Sequence, residues 1–162
     1  ADAIATHATR AAEKLRAQLS VTGCLTVSIG TSPFSDPEQR YAKSLAVPIP
    51  QHTADTRRIV LYAVKALKAI YRPGFAYAKA GVMLSDICAA ASAPRDLFFD
   101  MAAGEKAEKL MTTLDAINNK WGRGTLRTAV VKPSHEAWEM NRGKLSPAYT
   151  TSWQGLPVVK AN

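Results

Sequence analysis

The sequence predicts an α+β fold in the order helix, strand, strand, helix, strand, which is a split βαββαβ unit lacking its first strand. Two observations predict the helices, because apolar residues recur every three or four positions over residues 4–19 and again over 59–70. A third predicts the strands, because apolar residues alternate with small or polar ones over 21–29 and 75–87. One face of each strand is therefore expected to lie against the helices.

Helix breakers and caps set the limits of the other elements. A second strand is predicted over residues 41–47, and the two prolines within 48–52 are expected to end it. Thr53 or Asp55 is the predicted N-cap of the second helix, because both side chains accept hydrogen bonds from free backbone N–H groups. The Pro-Gly pair at residues 73–74 ends that helix.

The first strand of the complete unit has no counterpart, because Ala1 already belongs to the first helical pattern. We therefore expect the chain to be the C-terminal piece of a longer product. In a ferredoxin-like sheet the first strand is central, so its loss would leave a gap between two strand edges. We expect another segment of this chain, or of a second copy, to fill that gap.

The second part of the chain begins after a run of small residues at 89–93, which predicts a linker between two domains. Apolar residues at helical spacing then predict a helix that ends at the Gly-Arg-Gly of residues 122–124, and residues 125–131 predict a short strand. Residues 145–159 combine two aromatic residues with two prolines and show no regular period. This segment is too apolar for a free tail, so it is expected to pack as a cap or to form a recognition surface.

The composition describes a basic chain that can bury a core. Its 162 residues are 47% hydrophobic, and most of its formal charge of +8 arises after residue 51. This charge favours a polyanionic partner, most often nucleic acid, although a basic surface also aids solubility. No apolar run approaches the roughly 20 residues of a membrane span, and no leader opens the chain, so we expect a cytoplasmic protein without membrane contact.

The sequence predicts no catalytic or metal site. The thirteen acidic residues are scattered, without the strand-borne pair of carboxylates that nucleotidyl transfer uses to hold two metal ions. His7, His52 and His135 are isolated, and no Ser or Cys has an evident His partner. Cys24 and Cys88 lack zinc-site spacing and are predicted to be free thiols. We expect no cofactor and no enzymatic role for these residues themselves.

Three well-spaced motifs carry a family resemblance. They are Tyr-Arg-Pro-Gly-Phe at 71–75 with Tyr-Ala-Lys-Ala-Gly-Val-Met-Leu-Ser-Asp-Ile at 77–87, Leu-Met at 110–111 with Asn-Asn-Lys-Trp-Gly-Arg-Gly-Thr-Leu-Arg at 118–127, and Leu-Ser-Pro-Ala-Tyr-Thr-Thr-Ser-Trp-Gln-Gly-Leu-Pro-Val-Val at 145–159. With them, the chain closely resembles the C-terminal part of the UmuC family, the catalytic subunits of bacterial DNA polymerase V. The resemblance covers essentially the whole chain.

The resemblance implies three parts: a DNA-binding little finger over residues 1–90, a linker over 91–101 and a UmuC-type C-terminal module over 102–162. The little finger holds primer-template DNA by its backbone, through the sheet face opposite its helices. An ordinary solvated sheet face is the alternative, and Lys43 and Arg72 are weaker candidates for contact. The residues assigned to the DNA-binding face are Thr26, Ser28, Ser44, Tyr77 and Lys79.

The family carries a sliding-clamp-binding peptide in the linker, typically Gln-Leu, a small or acidic residue, and then Leu-Phe. Pro94 and Arg95 stand where Gln and Leu are expected, so the Gln anchor is lost. The same apolar residues could instead pack the linker against the following helix. The residues assigned to clamp binding are Asp96, Leu97, Phe98 and Phe99.

For the C-terminal module the resemblance implies docking to a UmuD′ dimer, with Trp138, Leu145, Tyr149 and Trp153 as anchors. The alternative is that these residues form the module's own core, because so short a segment needs most of its large apolar residues. The parent enzyme would perform error-prone, Mg²⁺-dependent DNA synthesis in the SOS response, with RecA as a further partner. The competing interpretation is a protein-interaction module without significant DNA binding.

Overall fold

In the computed structural model of the chain, the residues described are 1–94 and 101–130. The chain divides into two compact units, Ala1–Lys132 and Pro133–Asn162, and every described residue belongs to the first. The α+β class and the order helix, strand, strand, helix, strand are confirmed. The elements are α1 Asp2–Ala17, β1 Ser20–Thr31, β2 Ala42–Thr53, α2 Thr56–Ile70, β3 Tyr77–Ala89 and α3 Met101–Trp121.

The three strands form one antiparallel sheet in the order β2-β1-β3. The expected gap in the sheet is therefore wrong, because β1 itself is central and pairs with a neighbour on each side. Its inward-facing residues explain this position. Leu25 and Val27 are completely buried and Ile29 is 6% exposed, so β1 is the strand best suited to a place with no free edge.

Helices α1 and α2 cover one face of this sheet, and the core lies between the two layers. The amphipathic patterns predicted for both helices account for this arrangement, because their apolar stripes supply most of the buried residues. On the sheet side, β1 contributes three residues and β2 contributes Ile49. The helical contribution consists of Ile4, Ala5, Ala8, Ala12, Leu15, Ile59, Val60, Ala63, Ala66, Leu67 and Ile70.

The N-terminus of α2 resolves the choice between two predicted caps in favour of Asp55. The Arg57 backbone N–H donates to Asp55 Oδ1 at 2.8 Å, whereas Thr53 Oγ1 accepts from the Asp55 backbone N–H at 3.1 Å. Burial alone would raise the pKa of the Asp55 carboxyl. The hydrogen bonds from Arg57 and the charges of Arg57 and Arg58 outweigh burial and lower that pKa below its ordinary value.

Strand β2 is longer than predicted, because it continues through Pro48 and Pro50 to Thr53. The prediction that the prolines end this strand is therefore wrong. Proline is tolerated because β2 lies at the edge of the sheet, where one side of the strand needs no N–H donor. The register changes here as well, since Cys24 pairs with Pro48 whereas Thr22 pairs with Thr53.

The strand predicted after α3 is also wrong over its described part. Residues 122–130 form turns and bends, and two hydrogen bonds between the Asn118 side chain and the Leu126 backbone hold this segment against the end of α3. The Leu126 backbone N–H donates to Asn118 Oδ1 at 2.9 Å, and Asn118 Nδ2 donates to the Leu126 carbonyl at 2.9 Å. An asparagine amide thus replaces the strand neighbour that this short segment would need.

Helix α3 is tied to α1 by a guanidinium fork. Arg16 Nε and Nη2 donate to the two carboxylate oxygens of Asp115 at 2.6 and 2.7 Å. Arg16 Nη1 also donates to the Ala54 carbonyl and to Thr56 Oγ1, at 2.9 and 2.7 Å. The sequence analysis placed the residues of α3 in the second domain, after the linker. That division of the chain into domains stays a prediction.

Candidate nucleic-acid interface

The sheet face that points away from α1 and α2, called here the open face, is built mainly from small residues, with Lys79 and Met83 as its long side chains. Antiparallel partners lie side by side on the same face, so the pairing defines the surface directly. Ser28, Ser44, Lys79 and Met83 are exposed on it, and Thr26 is partly buried. Its four rows across the strands are Ala42-Gly30-Lys79, Ser44-Ser28-Gly81, Ala46-Thr26-Met83 and Pro48-Cys24-Ser85.

Four of the five residues predicted to contact DNA therefore share this face: Thr26, Ser28, Ser44 and Lys79. Ser28 and Ser44 are direct cross-strand partners, and Lys79 lies in the neighbouring row. The structure brings these four side chains together, and their contact with DNA stays a prediction.

The fifth residue, Tyr77, is placed differently, and its predicted face is wrong. Its ring packs against the core side, edge-on to Tyr41 at 6.1 Å between centroids and 5.4 Å from Tyr71. Its hydroxyl donates to the Arg72 carbonyl and accepts from the Arg72 backbone N–H. The cause is a register shift after Gly30, which pairs Tyr77 with Thr31 and reverses the face expected from strict alternation.

Gly81 is a residue of the open face that the site prediction omitted. A Cβ atom added there would lie 2.9 Å from Ser28 Oγ, closer than carbon and oxygen normally approach. Glycine thus avoids this contact and leaves room for the Ser28 hydroxyl on the central strand. Gly81 lies two residues from both Lys79 and Met83, so the alternation along β3 places all three on one face. That alternation was enough to predict Gly81 as a residue of the open face.

Four exposed basic residues gather where β1 ends and β2 and β3 begin, and we call them the basic end. They belong to the two connections and to the first residues of the two strands. Lys43 pairs with Ile29, so it lies toward the helical side, as its strand parity predicts. Within residues 1–94 and 101–130, none of the four forms an ion pair. They are Arg40, Lys43, Arg72 and Lys79.

His52, predicted to be isolated, forms a pair with Asp86, and that prediction is wrong. His52 Nε2 lies 2.9 Å from Asp86 Oδ2, and Asp86 has a positive φ of 53°. The pair sits against Gly23, where an added Cβ would contact Asp86 Oδ2 and lie 2.6 Å from His52 Nε2. Sequence reasoning missed this pair because it joins the two outer strands across β1.

The remaining predicted sites lie outside the described residues. These are the clamp-binding peptide Asp96, Leu97, Phe98 and Phe99, and the partner-binding residues Trp138, Leu145, Tyr149 and Trp153. In the part of the chain that the structure does describe, no three His, Cys, Asp or Glu side chains form a group that could hold a metal ion. No described helix has the length and apolar character needed to cross a membrane.

The architecture defines an α+β protein in which two helices cover one side of an antiparallel sheet and leave the other side, where small residues predominate, exposed among the described residues. Residues 1–97 match the impB/mucB/samB family C-terminal domain, so the chain belongs to that family. Residues 108–159 match a domain of unknown function, DUF4113. The resemblance to the UmuC family is thereby confirmed.

Curated relatives agree with this membership. Protein UmuC of Salmonella typhimurium (strain LT2) is 42% identical over 158 residues, which are 98% of this chain and 37% of the relative. Protein SamB of Salmonella typhimurium is 40% identical, again over 98% of this chain and 37% of the relative. Protein MucB of Escherichia coli is 38% identical over 96% of this chain and 36% of the relative. The chain thus spans little more than a third of these relatives. No solved structure matches it.

Proposed function

We propose that the open face holds double-stranded primer-template DNA by its sugar-phosphate backbone, as a non-catalytic part of a translesion DNA polymerase. The observation that carries this proposal is the row of Ser44, Ser28 and Gly81, which α1 and α2 do not cover, with cations at one end of the same sheet that form no ion pair within the described residues. Small hydroxyls and exposed backbone approach phosphates closely, and lysine and arginine supply charge. Such contacts give affinity without reading bases, which suits an enzyme that copies damaged template.

The proposal extends to the parent protein through its family. The parent would perform error-prone DNA synthesis in the SOS response, in the cytoplasm, with Mg²⁺ held by carboxylates other than the described ones. The chain's further task would be recruitment of a sliding clamp, a UmuD′ dimer and RecA.

Clamp binding is tested by pull-down with the double variant Leu97→Ala, Phe98→Ala. Loss of clamp capture by the variant supports the clamp-binding peptide. Equal capture by the variant and the parent chain would mean that these residues pack the linker against the following helix.

DNA binding is tested by fluorescence anisotropy of the full chain with a labelled primer-template duplex, titrated at increasing salt. If about four phosphates are neutralised, log affinity falls with log salt at a slope near −3.6. Duplexes of unrelated sequence should bind equally well. A slope near zero, or no binding, overturns the proposal and favours the module that binds only proteins.

A charge-neutralising pair of variants locates the contact. Lys79→Gln removes one cation from the open face, so the slope should become shallower by about 0.9 and affinity should fall equally for all sequences. Lys65→Gln makes the same change on the exposed side of α2, behind the sheet, and should leave the slope unaltered. Equal effects of both variants would place the DNA elsewhere.

A further inference from the structure

The hairpin that joins β1 to β2 ends in an almost completely exposed aromatic ring. Phe34 is 94% exposed, more than any other large apolar residue among those described. Single apolar residues on a surface are common, but a full phenyl ring in water loses the burial energy that would be worth about 2 kcal/mol. The ring has no packing role in residues 1–94, and its place on the sheet suggests what covers it.

The backbone that carries Phe34 is held in a fixed turn. The Phe34 backbone N–H donates to Ser32 Oγ at 3.3 Å, and the Ser35 N–H donates to the Ser32 carbonyl at 3.2 Å. Arg40 Nε then donates to the Ser35 carbonyl at 2.8 Å, which ties the two arms of the connection together. Binding through the ring would therefore require little further ordering of the chain.

The tip lies at the basic end, because β1 ends at Thr31 beside the first residues of β2 and β3. The connection itself carries the opposite charge, since the exposed residues Asp36 and Glu38 follow Phe34 in the sequence. Two carboxylates disfavour close phosphate contact at the tip itself, whereas the cations behind it attract a polyanion. A neutral aromatic ring in this position is suited to contact an uncharged, flat part of a nucleic acid, and the face of a base is such a part.

We propose that Phe34 stacks on an unpaired base of the single strand that continues from the duplex, and this inference rests on the proposed function of the open face. Bases inside a duplex already stack on each other, and separating them costs a few kcal/mol per step, so a ring at a hairpin tip reaches a base face most easily where the strand is unpaired. Stacking on aromatic side chains tolerates any base, which agrees with backbone binding that does not read sequence.

The test compares three labelled DNAs in anisotropy: a blunt duplex, the same duplex with a single-stranded overhang, and that duplex with an abasic overhang. The parent chain should bind the overhang form more tightly than the other two. Phe34→Ala should remove this gain, about tenfold, without changing affinity for the blunt duplex. Phe34→Trp should keep the gain, and Phe34→Leu, which is apolar but has no ring, should lose it. Thermal unfolding should be the same for all three variants, because the side chain is exposed.

The outcomes separate this inference from the proposed function. Salt-dependent duplex binding with no gain from the overhang, or a gain that survives in Phe34→Ala, overturns the stacking role and leaves the open face intact as a duplex site. An equal gain from the abasic overhang also overturns it, because only added phosphates would then matter. A Phe34-dependent gain without any blunt-duplex binding would support stacking and refute the duplex site.

Discussion

The two faces of the sheet come from the same three strands but differ in almost every physical property. On one face Leu25 and Val27 are completely buried beneath two helices, whereas on the other Ser28 and Ser44 are exposed. Alternation along β1 sends neighbouring residues to opposite faces, so stability and binding are separated by a single step in sequence. Substitutions one residue apart should therefore damage different properties of the molecule.

The largest expected effect comes from the covered face. Leu25→Ala leaves a cavity at the centre of the core and should lower the free energy of unfolding by about 2–5 kcal/mol. Thr26→Ala, one residue further on, changes the open face and should cost under about 0.5 kcal/mol. Urea unfolding followed by circular dichroism measures both. Comparable losses in the two variants would show that the open face is also packed.

A smaller effect is expected at the contact between α1 and α3. Arg16→Ala removes four hydrogen bonds and leaves the Asp115 carboxylate without its partner, so we expect a loss of about 2–3 kcal/mol. Arg10→Ala removes an exposed arginine from the same helix and should change stability by under about 0.5 kcal/mol. The salt slope of DNA binding should be unchanged in both, since neither lies on the open face. A shallower slope in Arg16→Ala would contradict the separation of the two faces.

The cap of α2 gives the third prediction and a pH dependence. Asp55→Ala should cost about 1 kcal/mol at neutral pH, because the Arg57 N–H loses its acceptor. Asp55→Asn can still cap the helix but cannot ionise. The pKa of Asp55 is lowered in the folded state, so its ionic contribution is present above the ordinary carboxyl value of about 3.9 and is lost as pH falls through the folded value.

The measurement is the melting temperature of the parent and of Asp55→Asn between neutral and strongly acidic pH. The parent should be the more stable protein at neutral pH, and the difference should shrink only below about pH 4. A difference that is constant over the whole range would mean that the charge of Asp55 contributes nothing and that only its cap geometry matters.

Local patterns predicted those parts of the fold that depend on local physics. The alternation over 25–29 assigned Leu25, Val27 and Ile29 to the covered face and Thr26 and Ser28 to the open face, as the structure has them. It failed at Thr22, which was expected on the open face but is completely buried beside the register shift. The patterns of β2 and β3 added Ser44 and Lys79 to the open face. The cap of α2 was narrowed to two residues because only a few side chains can accept hydrogen bonds from a helix N-terminus. The family motifs led to the same α+β class by an independent route.

The errors concern features that depend on residues far apart in the chain. Tyr77 changes face through the register shift after Gly30, and its ring then packs with Tyr41 and Phe75. The sequence of β3 alone contains neither the shift nor that packing. Pro48 is tolerated because β2 is an edge strand, which is known only once the strand order is known. Strand order itself was taken from a ferredoxin-like sheet, whereas the burial of β1 decides it here.

The smallest expected effect tests the open face by itself. Gly81→Ala adds a methyl group that must displace Ser28 Oγ, since the two atoms would be 2.9 Å apart. The side chain of Ser28 is exposed and can rotate away, so stability should change by no more than about 0.5 kcal/mol. DNA affinity should nevertheless fall a few-fold, as expected for the loss of one hydrogen bond worth about 1 kcal/mol.

A double-mutant cycle shows whether this loss runs through the serine. Ser28→Ala should weaken DNA binding by the same amount as Gly81→Ala, and the double variant should be no weaker than either single variant. Additive losses would mean that the backbone at Gly81 contacts DNA independently of the Ser28 hydroxyl. If no variant of the cycle loses affinity while Lys79→Gln does, the DNA lies at the basic end and does not extend over the centre of the sheet.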